Sequence, residues 1–110
     1  MLVDAHAHLD MLTEPVAMVL RRALAANVGL VISVGDKVSA SQQAVSLATK
    51  YPNVKAAVGV HPHEAKTFNG QTLKELAQLA KQPGVVAIGE TGLDFFKQHA
   101  PRREQIAAFK

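Results

Sequence analysis

Four short apolar, β-rich runs recur along the chain at intervals of roughly 30 residues, the length of one βα unit. They are Met1 to Ala5, "VGLVISV" at Val28 to Val34, "VKAAVGV" at Val54 to Val60 and "VVAIG" at Val85 to Gly89. The runs are continuous, with little alternation. Strands of that kind are buried on both faces, as in a parallel sheet.

Helical patterns fill the intervals. Val16, Val19, Leu20, Ala23 and Leu24 fall at helical spacing behind Thr13, Glu14 and Pro15, which suit a cap and first turn. Ser39 and Gln42 read as a capping box for a second helix, which "YPN" at Tyr51 to Asn53 stops. Thr72 and Glu75 read as the capping box of a third, ended by "QPG". Pro101 opens a fourth that runs through Ile106 and Phe109. The order is an α/β protein of four consecutive βα units with right-handed crossovers. An open doubly wound sheet and half of an eight-stranded barrel both satisfy this pattern. Active sites of both gather at the carboxyl ends of the strands.

Composition narrows the class. Of 110 residues, 48% are hydrophobic and 19% charged, which is the balance of a globular domain and not of a disordered chain. No run approaches the roughly 20 apolar residues of a membrane helix, so no membrane partner is expected. The N-terminus carries no secretory signal pattern, and the expected compartment is the cytoplasm. Cysteine is absent, which excludes disulfides and thiolate ligands. A net charge of +3 permits an acidic partner such as nucleic acid without demanding one.

Chemistry-bearing residues collect at the strand ends. "VDAHAHLD" places His6 and His8 behind the first strand. Residues two apart on a strand share a face, about 6.5 Å from Cα to Cα, so both rings can converge on one ion. The alternative is two unrelated imidazoles on a loop. Glu90 follows the fourth strand, where a carboxylate can bind one ion, bridge two, or lie solvated in a turn. "GVHPHEA" puts His61 and His63 after the third strand; Pro62 between them stiffens the loop, which favours holding substrate or donating a proton over ligation. Asp36, after the second strand, reads as a turn residue. Asp94 is a candidate for orienting a ligand or substrate, and Asp4 and Asp10 for supporting the histidine pair. Phe95 and Phe96 read as packing rather than a base-stacking wall, and Arg102 and Arg103 as a solvated helix face rather than a phosphate clamp.

Taken in order, "DAHAHLD", "VGVHPHEA" and "AIGETGLDFF" with "PRREQ" behind it closely resemble the TatD family of metal-dependent hydrolases. The resemblance implies a TIM-type (β/α)8 barrel and a deoxyribonuclease activity, including 3′-to-5′ trimming of DNA. It implies His6, His8 and Glu90 as ligands of one or two divalent ions (Mg, Mn or Zn), with Glu90 catalytic and bridging where two are bound. It implies His61, His63 and Asp94 as substrate-binding residues, and DNA as the substrate.

The chain departs from the family in length. Two further histidines and an aspartate that the family draws from later strands have no counterpart; His99 matches no ligand position. Residues 1–110 are therefore expected to form a single partial domain, the N-terminal half of such a barrel. That half is expected to be weakly active or inactive by itself and prone to self-association through its sheet edges. Two other functions are compatible with the motifs: an amidohydrolase-type enzyme of small amides or esters, and a non-catalytic remnant.

Overall fold

The structure, a computed structural model, describes residues 1–110. Its strands are β1 (Leu2–Ala7), β2 (Val28–Val34), β3 (Val54–Val58) and β4 (Val85–Ile88), and its helices α1 (Val16–Ala25), α2 (Val38–Lys50), α3 (Gly70–Leu79) and α4 (Arg102–Phe109). Two 3-10 turns, Leu9–Met11 and Pro62–Thr67, follow β1 and β3. All strand pairs are parallel, in the spatial order β1-β2-β3-β4. A doubly wound sheet reverses its strand order at a switch point, and this sheet does not. Each right-handed crossover therefore steps the same way, as in a barrel wall.

The core lies under the middle of the sheet. Leu9, Leu20, Val31 and Val54 form its buried centre, with Ala7, Val16, Leu47 and Tyr51 packed around them. β2 and β3 carry most of the buried strand residues, because they are paired on both sides. β1 and β4 are the edges, and their Leu2, Val3, Val86 and Ile88 are exposed.

Several boundaries differ from the sequence reading. β1 runs to Ala7, two residues beyond Ala5, which puts His6 on the strand. β3 stops at Val58 and β4 at Ile88, because "GV" and Gly89 already belong to the turns that carry the site. Thr13 does not cap α1. Pro15 holds the N-cap position, without a side-chain hydrogen bond, and Glu14 forms a two-pronged ion pair with Arg22, at 2.6 and 2.9 Å. α2 starts at Val38, so Ser39 lies inside the helix and its box with Gln42 does not form. In α3 the box sits three residues upstream. Asn69 Oδ1 accepts from the Gln71 and Thr72 amides while Thr72 Oγ1 accepts from the Asn69 amide. Thr72 is thus the partner in the box, and Glu75 instead accepts from Gln71.

Candidate metal and phosphate site

Three glycine-bearing turns bring the strand ends together. The Gly35 carbonyl accepts from the Glu90 amide at 2.8 Å, and the Gly89 amide donates to Val58 at 2.9 Å. A Cβ on Gly35 would stand 2.6 Å from the Cα of Ser41, and one on Gly59 would stand 2.8 Å from the Gly89 carbonyl carbon. Only glycine permits these approaches of backbone to backbone. Ser41, fully buried on α2, completes the clamp: its Oγ accepts from the Gly59 amide and donates to the Gly59 carbonyl.

Glu90 is the hub. Its Oε2 lies 3.4 Å from His6 Nε2 and 3.6 Å from His8 Nε2, and its Oε1 lies 3.6 Å from His61 Nε2. The ligand atoms of His6, His8 and Glu90 all fall within 4.8 Å of one another, a spacing at which one ion can be shared. Asp4 Oδ1 accepts from the His6 amide, so it braces the backbone that presents the pair. Asp10 lies elsewhere, in a groove of about 500 Å³ between the first 3-10 turn and α2.

Hydrogen bonding assigns the imidazoles different tasks. A carbonyl only accepts, so His8 Nδ1, 2.9 Å from the Val34 carbonyl, carries the ring proton. In the neutral ring Nε2, which faces Glu90, then carries the lone pair, the tautomer a metal ligand needs. His61 is set the other way. Its Nδ1 accepts from the His63 amide at 3.0 Å, which leaves the proton on Nε2, facing Glu90. His61 therefore presents an N–H, not a lone pair, toward Glu90.

His63 turns away from Glu90. Its Nε2 donates to Asp94 Oδ2 at 2.7 Å, and its ring packs against those of His61 and His99, each with centroids 4.3 Å away. The Lys97 amide, and next His63, hold the Asp94 carboxyl below the ordinary carboxylate range, since both bond to its ionised form. An open cleft of about 310 Å³ joins these groups. His8, Asp36, His61, His63 and Glu90 line it.

Three residues gain positions that the sequence reading did not give them. Asp36 stands in the cleft wall with a buried Oδ1 that has no hydrogen-bond partner, and its carbonyl accepts from the His61 amide. Ser41 clamps Gly59, as described. Gln105, 1% exposed on α4, accepts from the Asp94 amide and donates to the Asp94 and Ala100 carbonyls. In the sequence it is the last residue of "PRREQ", a segment that carries the resemblance without giving Gln105 a role.

Comparison with known proteins gives a consistent picture. Residues 3–110 match the family model described as TatD related DNase. A 3′-5′ ssDNA/RNA exonuclease TatD from Citrobacter koseri is 42% identical over 92 residues, which cover 84% of this chain and 35% of that protein. Its counterpart in Salmonella typhimurium is 41% identical with the same coverage. Thus the chain spans about a third of the length of the curated relatives it matches. Among solved structures, the TatD homologue YjjV of Escherichia coli aligns with a TM-score of 0.84 at 29% identity, over 98% of this chain and 43% of that one. A TatD family hydrolase from Entamoeba histolytica aligns equally well at 24% identity, and so bears on the fold alone. No helix is long and apolar enough to cross a membrane.

Proposed function

The chain belongs to the TatD related DNase family, and from that premise we propose that it carries the first part of a metal-dependent nuclease acting on phosphodiester bonds. Residues 1–110 are read as one partial domain of that enzyme, contributing four of its βα units. Single-stranded DNA or RNA is the substrate class, as the names of the relatives suggest.

The observation that carries the proposal is the convergence of His6, His8 and Glu90 within 4.8 Å. The donor set fits a divalent cation: two imidazoles, one locked with its lone pair inward, and one carboxylate. When bound, one or two such ions (Mg, Mn or Zn) would polarise a phosphoryl oxygen and lower the pKa of a water. Glu90 would hold the cation, and its second oxygen is free to bridge. His61 presents its Nε2 proton beside that carboxylate, where it can donate to a phosphate oxygen. His63, oriented by Asp94, would hold the substrate further along the cleft. Asp94 is then a positioning residue, not one that touches the reacting atoms.

The test is titration of Mn, Mg and Zn into the chain by calorimetry, beside His8→Ala and Glu90→Gln. A loss of roughly tenfold or more in affinity is expected for each variant. Wild-type affinity in a combined His6→Ala, His8→Ala and Glu90→Gln variant would sink the reading.

A further inference from the structure

Phe96 is 95% exposed, more than any other large apolar side chain of the protein. It is nonetheless held in place. Its amide donates to Asp94 Oδ1 at 3.2 Å, and the neighbouring Lys97 amide donates to the same oxygen at 3.0 Å. Through Asp94 the segment is tied to His63, and through His63 and His61 to the edge of the Glu90 cluster. Behind it, Gln105 fixes the Asp94 peptide from both sides. A bare aromatic ring on such a backbone is a surface feature linked by hydrogen bonds to His63 in the cleft wall, not a frayed end.

Its surroundings are cationic. Lys97 follows it in the chain and is exposed. Arg102 lies with its guanidinium 4.1 Å from the Phe95 ring centroid and has no carboxylate partner. Phe95 is half-buried against that arginine, so the two adjacent phenylalanines divide the work of packing and exposure. Aromatic faces beside unpaired cations suit a single-stranded nucleic acid, whose bases stack on rings while its phosphates meet the charges.

Resting on the nuclease reading above, we propose that Phe96 is a base-stacking platform. It receives an unpaired nucleobase of the strand whose phosphate lies in the His61–Glu90 cleft, and Lys97 and Arg102 meet the next phosphates. The exposed ring is thereby a substrate subsite, whereas the sequence reading took both phenylalanines as packing.

The test is binding of a fluorescent oligothymidine to the whole chain in the presence of Mn. Wild type is compared with Phe96→Ala, Phe96→Leu and Phe96→Trp, using a normal oligonucleotide and one with abasic sites. Stacking contributes a factor of roughly 5 to 150 per base. Phe96→Ala and Phe96→Leu are expected to lose at least about fivefold, and Phe96→Trp to retain or gain affinity with quenching of its fluorescence. On the abasic strand all four proteins are expected to bind alike. Thermal midpoints are expected to stay together, because an exposed ring carries no core packing. Equal binding of the normal strand by wild type and Phe96→Ala would overturn the platform while leaving the metal titration, and with it the nuclease reading, standing. Leucine matching phenylalanine would overturn it too, since grease and not a π face would then suffice.

Discussion

Replacing Gln105 by leucine tests whether the loop after Glu90 is held by hydrogen bonds or by volume. Leucine occupies similar space, so packing is largely kept, while three hydrogen bonds of 2.8 to 3.0 Å are removed. The three losses are not equal. The Asp94 peptide is partly exposed, so water takes over at its amide and carbonyl, and each bond counts near the lower end of the usual 0.5–1.5 kcal/mol, about 1 kcal/mol together. Ala100 is fully buried, and its carbonyl is left without the side-chain donor at a cost of about 1–3 kcal/mol. The expected loss is about 2–4 kcal/mol, a large share of the stability of any small domain. It would be read as a fall in urea midpoint at unchanged slope. Amide exchange at Phe96 and Lys97, whose N–H groups bond to Asp94 Oδ1, is expected to quicken in step. Gln105→Glu is expected to be at least as damaging, since a carboxylate can accept from the Asp94 amide but cannot donate to either carbonyl. A change below about 0.5 kcal/mol for leucine, or unaltered exchange at those two amides, would refute the reasoning and reduce Gln105 to a space-filler.

Three other perturbations follow from the same contacts. Gly59→Ala drives a Cβ to 2.8 Å from the Gly89 carbonyl and 3.1 Å from the Glu90 amide nitrogen; displacement of Glu90 is expected to cut metal affinity roughly tenfold or more by calorimetry, and unchanged affinity would mean that the close approach is dispensable. Ser41→Ala strips the buried Gly59 amide of its acceptor and is expected to cost about 1–3 kcal/mol in a urea titration, whereas a neutral result would show that water or a shifted backbone fills the role. Asp94 has a depressed folded pKa, so what its ionised form adds to stability is complete above about pH 4, near the ordinary value of the unfolded chain, and fades as pH falls through the folded value. The melting points of wild type and Asp94→Asn are expected to draw together as the pH is lowered below about 4; a gap that does not narrow under acid would remove Asp94 from that account.

What the sequence made legible was periodic. Strand spacing, the parallel order and the placement of His6, His8, His61, His63 and Glu90 at strand ends need only a regular βα repeat, in which position along the chain translates directly into position on one rim. Assigning roles among those residues took the family resemblance, and separating them physically took tertiary contacts. Whether an imidazole offers a lone pair or a proton depends on what meets its other nitrogen. For His8 that partner is the Val34 carbonyl, 26 residues away, and for His61 it is an amide two residues on. The caps were misplaced for a related reason. Thr72 and Asn69 each satisfy the pattern for a helix start, and the choice falls to Asn69, whose oxygen reaches two free amides at once. Ser41 and Gln105 were out of reach because their partners, Gly59 and Asp94, lie 18 and 11 residues away on other segments. Phe96 is the reverse case. A hydrophobic residue beside a second one reads as core, and only coordinates show one ring covered by Arg102 and the other bare.

The site also bears on the shape of the sheet. His6 and His8 come from β1 and the segment after it, and Glu90 follows β4, so the candidate ligands belong to the two edge strands, the farthest apart in the sheet. In a flat sheet, three spacings of about 4.8 Å would hold those strands about 14 Å apart. Yet His6 Nε2 and Glu90 Oε2 are separated by 3.4 Å. Side chains reach across most of that gap, and the curvature of a barrel wall, which the alignment with the TatD homologue at a TM-score of 0.84 supports, supplies the rest. The glycine contacts act at this point: Gly59 lets the ends of β3 and β4 meet, and Gly35 lets the start of α2 close on the end of β2. Curvature and ligand geometry are therefore one property. A cation held between His6, His8 and Glu90 would tie the first strand to the last, and any change that flattens the sheet would pull its ligands apart before it disturbed the core beneath Val31 and Val54.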